Sequence, residues 1–195
     1  MMVRYERAIL FAGHGIDRPG RPAARFPARI EQLAVDVIGR RVVALGEAHE
    51  GSILGIASGA QGAEILFLEV CRDLGLDTRM VLPAAPEAFV AAAVAGLPDG
   101  DWEERFWLLW NGHGEDEREV IKPSQGNPMS ACRTHMLKTA AALGKATTLI
   151  AYWDGAPGDD SDGTADFVTM ARTSGAIVDH LDAAHLLRVA VVQGL

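Results

Sequence analysis

The sequence predicts an α/β fold, a Rossmann-like three-layer sandwich with a mainly parallel central sheet. Short apolar runs alternate with stretches whose apolar residues recur every three or four positions. Several of these runs stop at glycine-bearing turns. Strands that alternate with helices at this spacing come to lie parallel, with helices over both faces of the sheet.

The elements follow in order. Ala8 to Ala12 is an apolar run that breaks at Gly13-His14-Gly15, as a buried strand entering a tight loop does. After a stretch rich in Pro and Arg from Arg18 to Pro27, residues Ile30, Leu33, Val37 and Ile38 carry helical periodicity toward Leu45. Ser52 to Ala57 reads as the second strand, stopped by Ser58-Gly59, and Ile65, Phe67, Leu68 and Cys71 mark a helix ending near Gly75. Thr78 to Leu82 makes a third strand closed by Pro83, and Pro86 opens an alanine-rich helix to Ala95. Trp102, Phe106, Trp107 and Trp110 have helical spacing, and the charged run Glu115 to Glu119 reads as an exposed excursion. Asn127-Pro128 suits the cap and first turn of a helix to Leu143, and Thr147 to Trp153 is a β-branched, apolar strand. An acidic loop, a helix to about Ser174 and a strand from Ala176 to Leu181 complete the pattern. No repeat or linker divides residues 1–195, so one domain is expected.

Composition narrows the function. With 195 residues, 49% of them apolar, the chain can bury a full core. Its net charge of -8 and scattered Lys and Arg oppose nonspecific attraction to nucleic-acid phosphates. Neither a secretory signal nor a membrane span fits the charged N-terminus. Cys71 and Cys132 belong to no zinc or redox motif, which suits a reduced, cytoplasmic protein. His113, His135, His180 and His185 lack metal-ligand spacing, so neither a metal nor another cofactor is expected.

In sheets of this kind ligands sit beyond the carboxyl ends of the strands, where helix N-termini favour anions. Three loops match that position. At Gly13, His14 and Gly15 a ligand could approach bare backbone, or the segment is a tight turn with a surface histidine. At Ser58, Gly59, Ala60 and Gly62 the hydroxyl could meet a phosphate or ribose, or Ser58 caps a helix that Gly62 lets pack closely. Glu64, in the first turn of that helix, suits the helix dipole. In the third loop Gly163 and Thr164 open a helix, while Asp154, Asp159, Asp160 and Asp162 would repel a bare phosphate. Those acids point to ribose hydroxyls, a divalent cation or solvent, with Asp154 and Asp162 the pocket candidates. The spacing is not that of an EF-hand, so calcium is not implied.

At these same loops the chain resembles the SLOG superfamily, the Rossmann-like group that includes the cytokinin-activating phosphoribohydrolases and the DNA-processing protein DprA. The resemblance spans most of the chain. It is carried by Phe11-Ala12-Gly13-His14 with Asp17, Pro19 to Pro22 and Arg25-Phe26-Pro27. Ala57-Ser58-Gly59-Ala60 with Gly62 to Leu66, Val81-Leu82-Pro83 with Phe89, and Trp153-Asp154-Gly155 with Asp162 to Asp166 extend it. The chain looks most like the sensor-type branches. In the phosphoribohydrolases the third loop has paired glycines and a catalytic glutamate; here the pair is absent, Phe167 falls at the glutamate's place, and Asp166 stands beside it.

The resemblance therefore implies a nucleotide or nucleotide-derived ligand sensor that signals to an effector protein or through homo-oligomerisation. The alternative is a nucleotide-processing hydrolase of an N-glycosidic or phosphate bond, with Asp154, Asp162 or Asp166 as acid, base or metal ligand. A scaffold with a decayed pocket is a third possibility.

Overall fold

The computed structural model describes residues 5–47, 52–122, 126–156, 163–192 and 194. Among them lie strands β1 (Tyr5–Gly13), β2 (Ile53–Ala57), β3 (Asp77–Leu82), β4 (Arg118–Val120), β5 (Gly144–Trp153) and β6 (Ile177–Asp182). The helices are α1 (Glu31–Glu47), α2 (Ala63–Asp73), α3 (Pro86–Ala93), α4 (Trp102–Gly112), α5 (Pro128–Leu143), α6 (Thr164–Thr173) and α7 (Ala183–Val192). The strands form one parallel sheet in the order β4-β3-β2-β1-β5-β6, flanked by helices, as a Rossmann-like sandwich requires.

Burial on both faces explains why β1 is a continuous apolar run. Successive residues feed opposite cores: Ile9 and Phe11 pack with α1, α2, α4 and α7, whereas Ala8, Leu10 and Ala12 pack with α5 and α6. Phe11 stacks on Phe67 of α2 with ring centroids 4.7 Å apart. The N-terminus of α5 is closed by Asn127, whose Oδ1 accepts from Met129 N at 2.8 Å and Ser130 N at 3.1 Å. Cys71 and Cys132 are both buried and free.

Two segments differ from the sequence reading. The expected excursion over Glu115 to Glu119 contributes to the sheet, because Arg118–Val120 pairs with β3 through Met80↔Arg118 and Leu82↔Val120. The strand is three residues long and its last two residues are exposed, so it has no apolar alternation to read. Beyond Leu181, α7 adds Ala183, Leu186 and Ala190 to the core. The aromatic segment is α4, with Trp102, Phe106 and Trp110 buried and Trp107 partly so.

Strand order determines where a ligand can enter. From β1 the chain steps outward through β2 and β3 to β4, then crosses back to place β5 on the other side of β1. The connections leaving β1 and β5 therefore diverge, and a crevice opens between them at the carboxyl end of the sheet.

Candidate functional site

A cavity of about 820 Å³ occupies that crevice. Its wall takes Gly13 from the end of β1, His14 and Gly15 from the loop after it, Ser58 and Ala60 from the β2–α2 loop, Glu64 from α2, and Gly163 and Thr164 from the start of α6. Arg18, Arg21, Arg25 and Arg133 also line it, as do Met129 and Trp153.

The loop after β1 is fixed by its own polar groups. His14 N donates to Tyr152 O of β5 at 3.1 Å, and His14 O accepts from Ala63 N, the first residue of α2, at 3.1 Å. Asp17 closes the arginine-bearing stretch: its Oδ2 accepts from Arg25 N at 2.9 Å and Phe26 N at 3.0 Å, while Phe26 O accepts from Asp17 N at 2.8 Å. Phe26 is thereby held in the core, edge-on to Tyr152. Gln61 of the β2–α2 loop pins the same segment, accepting from Ile16 N at 2.8 Å.

Asp154 joins the loops after β1 and β5. Its Oδ2 lies 3.1 Å from Arg25 Nε, and its Oδ1 accepts from Ala156 N at 2.9 Å and sits 3.4 Å from His14 Nε2. Burial pushes the His14 imidazole below its ordinary proton affinity; Asp154 acts the other way, and Arg25 adds to the lowering. The neutral ring then carries a lone pair on Nε2, which accepts from Asp154 N at 3.2 Å.

At the β2–α2 loop the structure places an acid where the sequence suggested a phosphate contact. Glu64 Oε2 accepts from the Ser58 hydroxyl, from Gly59 N at 3.1 Å and from Ala60 N at 3.3 Å. The chain's own carboxylate thus fills the donor nest that a glycine-rich loop offers to an anion. Burial raises the proton affinity of Glu64, opposed by these hydrogen bonds and by the field of Arg133. Arg133 projects from α5, is 9% exposed, and lies with its guanidinium 5.4 Å from the Phe167 ring centroid.

The candidate residues from sequence separate into groups. Gly13, His14, Gly15, Ser58, Ala60, Gly163 and Thr164 line the cavity, and Asp154 is tied to two of its residues. Gly59 and Gly62 lie outside that lining. A Cβ on Gly59 would stand 2.8 Å from Met80 Cε, in the core, and one on Gly62 would stand 2.7 Å from Ile16 N. Both have φ above +80°, a backbone conformation that favours glycine. Asp159, Asp160 and Asp162 lie outside the described residues. Asp166 is exposed and absent from the cavity wall, and Phe167 is core. Among the described residues, no group of three or more His, Cys, Asp or Glu is placed to hold a metal ion.

Sequence reasoning gave no ligand role to Glu64 or Arg133, nor to Arg18, Arg21 and Arg25 of the segment after β1. Glu64 was legible as the acid that follows the Ser58 to Gly62 turn, but the dipole accounted for it without a partner. Arg133 left a clearer signal, a lone cation beside Cys132, Met136, Leu137 and Ala140 on the buried side of α5.

A parallel sheet with a polar cavity where the strand order reverses defines a Rossmann-like α/β protein. No protein-family model matches the chain, and comparison with curated proteins gives no match. Among solved structures it is similar to the X-ray structure of TM1055, a structural genomics target, at 14% identity. That alignment covers 88% of this chain and 72% of that one with a TM-score of 0.43. A likeness at this level adds nothing to the fold read directly from the sheet. Among the described residues, no helix is long and apolar enough to cross a membrane.

Proposed function

We propose that the whole chain acts as one cytoplasmic ligand-binding unit of SLOG type, which takes a nucleotide-type small molecule in the switch-point cavity. Occupancy is signalled to an effector protein or through self-association. The observation that carries this reading is the union of a cavity of about 820 Å³ with Arg18, Arg21, Arg25 and Arg133 in its wall. The size lies within the range of roughly 300 to 1,000 Å³ usual for small-molecule sites. Arginines match phosphate oxygens in geometry as well as charge. The loops that carry the family resemblance converge on this same wall, with Thr164 at the N-terminus of α6 as a hydroxyl donor.

Mass spectrometry of small molecules released from the purified protein, with thermal shifts over a nucleotide panel, tests the reading. A true ligand at a hundred times its Kd stabilises by about 2.7 kcal/mol. A panel without any shift, together with no released nucleotide, sinks it. Light scattering with and without the bound nucleotide then tests self-association.

One observation favours a second reading, hydrolysis of an N-glycosidic bond. Glu64 is a cavity carboxyl whose proton affinity is raised, a property suited to a general acid. Release of free base from nucleoside monophosphates by the wild type, lost in Glu64→Gln, separates this enzyme from a sensor.

A further inference from the structure

The geometry points to Glu64 as the residue that recognises the sugar of a nucleotide, by accepting a ribose hydroxyl on Oε1 while the phosphate sits at the arginine-bearing rim. This rests on the nucleotide reading and adds to it the orientation of the ligand and its sugar.

The two carboxylate oxygens of Glu64 differ in their occupation. Oε2 takes three donors from the β2–α2 loop. Oε1 takes no hydrogen bond among the described residues, and Glu64 belongs to the cavity wall. An unfilled acceptor on a side chain that lines the cavity calls for a donor from the ligand. Phosphate supplies none at neutral pH and would meet like charge there. A cationic donor is disfavoured, because the field of the buried Arg133 reaches Glu64. What remains is a neutral donor, a sugar hydroxyl or a base amino group.

The wall around Glu64 decides between these. Ser58, Ala60, Gln61 and Gly15 offer small or polar groups and no flat apolar face for a base. Met129 and Trp153 supply such surfaces from α5 and β5, and the indole is anchored by Nε1 donating to Ala156 O at 2.6 Å. The cations are arranged to match: Arg18 and Arg21 are exposed at the rim, whereas Glu64 is partly buried. Phosphate at the rim, base by Trp153 and sugar at Glu64 satisfy all three surfaces.

Titration calorimetry with the ribonucleoside 5′-monophosphates and their 2′-deoxy and 3′-deoxy forms tests the assignment. The wild type is expected to bind at least one deoxy form about tenfold or more weakly than its parent, the loss of one charge-assisted hydrogen bond. Glu64→Gln is expected to bring that ratio toward one, while competition by inorganic phosphate stays the same. The wild-type comparison stands even if the variant does not fold. Ribo and both deoxy forms binding within twofold of one another overturns the assignment and leaves nucleotide binding intact. So does a wild type that discriminates adenine from hypoxanthine through Glu64 without regard to the sugar. Binding of no member of the set removes the nucleotide reading and this inference together.

Discussion

The backbone N–H of Asp154 donates to His14 Nε2 at 3.2 Å, so the loops after β1 and β5 are tied across the switch point by a neutral imidazole. Protonation of His14 would break that bond beside Arg25 and Arg21, whose fields oppose the added charge. The unfolded chain takes up the proton near its ordinary value of 6.5, the folded protein only at lower pH. Between the two the unfolded state binds more protons, so stability falls as pH drops below 6.5 and levels off beneath the folded value. Melting temperatures from pH 8 to 5 should fall less steeply for His14→Gln than for the wild type. Parallel curves would remove His14 as a source of the slope.

Gly59→Val should unfold the protein more than it perturbs any ligand. The position has φ +82° and faces Met80, Leu68 and Phe106, so the side chain meets strain and overpacking at once. A loss of about 2 to 5 kcal/mol by chemical denaturation is expected. A variant of wild-type stability with weakened ligand binding would show that the side chain enters the cavity instead.

Asp17→Ala should release the arginine-bearing loop. Two backbone amides lose a carboxylate acceptor, which costs about 1.5 to 3 kcal/mol for each bond to a charged group before relaxation and solvent repair reduce it. Hydrogen exchange at Arg25 and Phe26 should accelerate, with β1 unchanged. Unaltered protection at both amides would falsify this role for Asp17.

On α4, Trp102, Phe106 and Trp110 are core and Trp107 is partly buried. Trp110→Ala removes a ring stacked with Phe106 and lying under Arg118, at a cost of about 3 to 5 kcal/mol. Trp107, partly exposed, should cost less, and neither change should alter the mass seen by light scattering. A shift in oligomeric mass for Trp107→Ala would give this helix a partner-binding role.

Thr164→Val tests the α6 side of the cavity. If the Thr164 hydroxyl meets the ligand, adenosine monophosphate binding should weaken by about 0.5 to 1.5 kcal/mol with the melting temperature of the free protein little changed. Wild-type affinity by calorimetry would place the ligand away from α6.

The sheet was legible because its central strands are buried on both faces, and solvent exclusion forces runs such as Ala8 to Ala12 and Leu149 to Ala151 to be apolar throughout. β4 escaped because an edge strand of three residues carries no such pressure. The glycine loops were readable as turns, yet the sequence does not state which way a glycine's missing side chain would point. Gly59 therefore suggested ligand space while facing Met80. Glu64 and Arg133 are held in one cavity by different elements, and nothing local in sequence reports a field acting from α5 to α2.

The position of β1 between β2 and β5 sets an order of assembly. Its pairing with β2 spans Arg7↔Ile53, so one edge can close while most of the chain is still to be made. The other edge waits for Tyr5↔Gly144 and the residues that follow. During synthesis the apolar heart of the sheet thus carries an open edge for nearly a hundred residues, a hazard for intermolecular pairing. The cavity shares this timing, since the His14 to Asp154 tie cannot form before β5 has docked. A bound ligand would act on the final docking step, stabilising the finished molecule without guiding the earlier half of its folding.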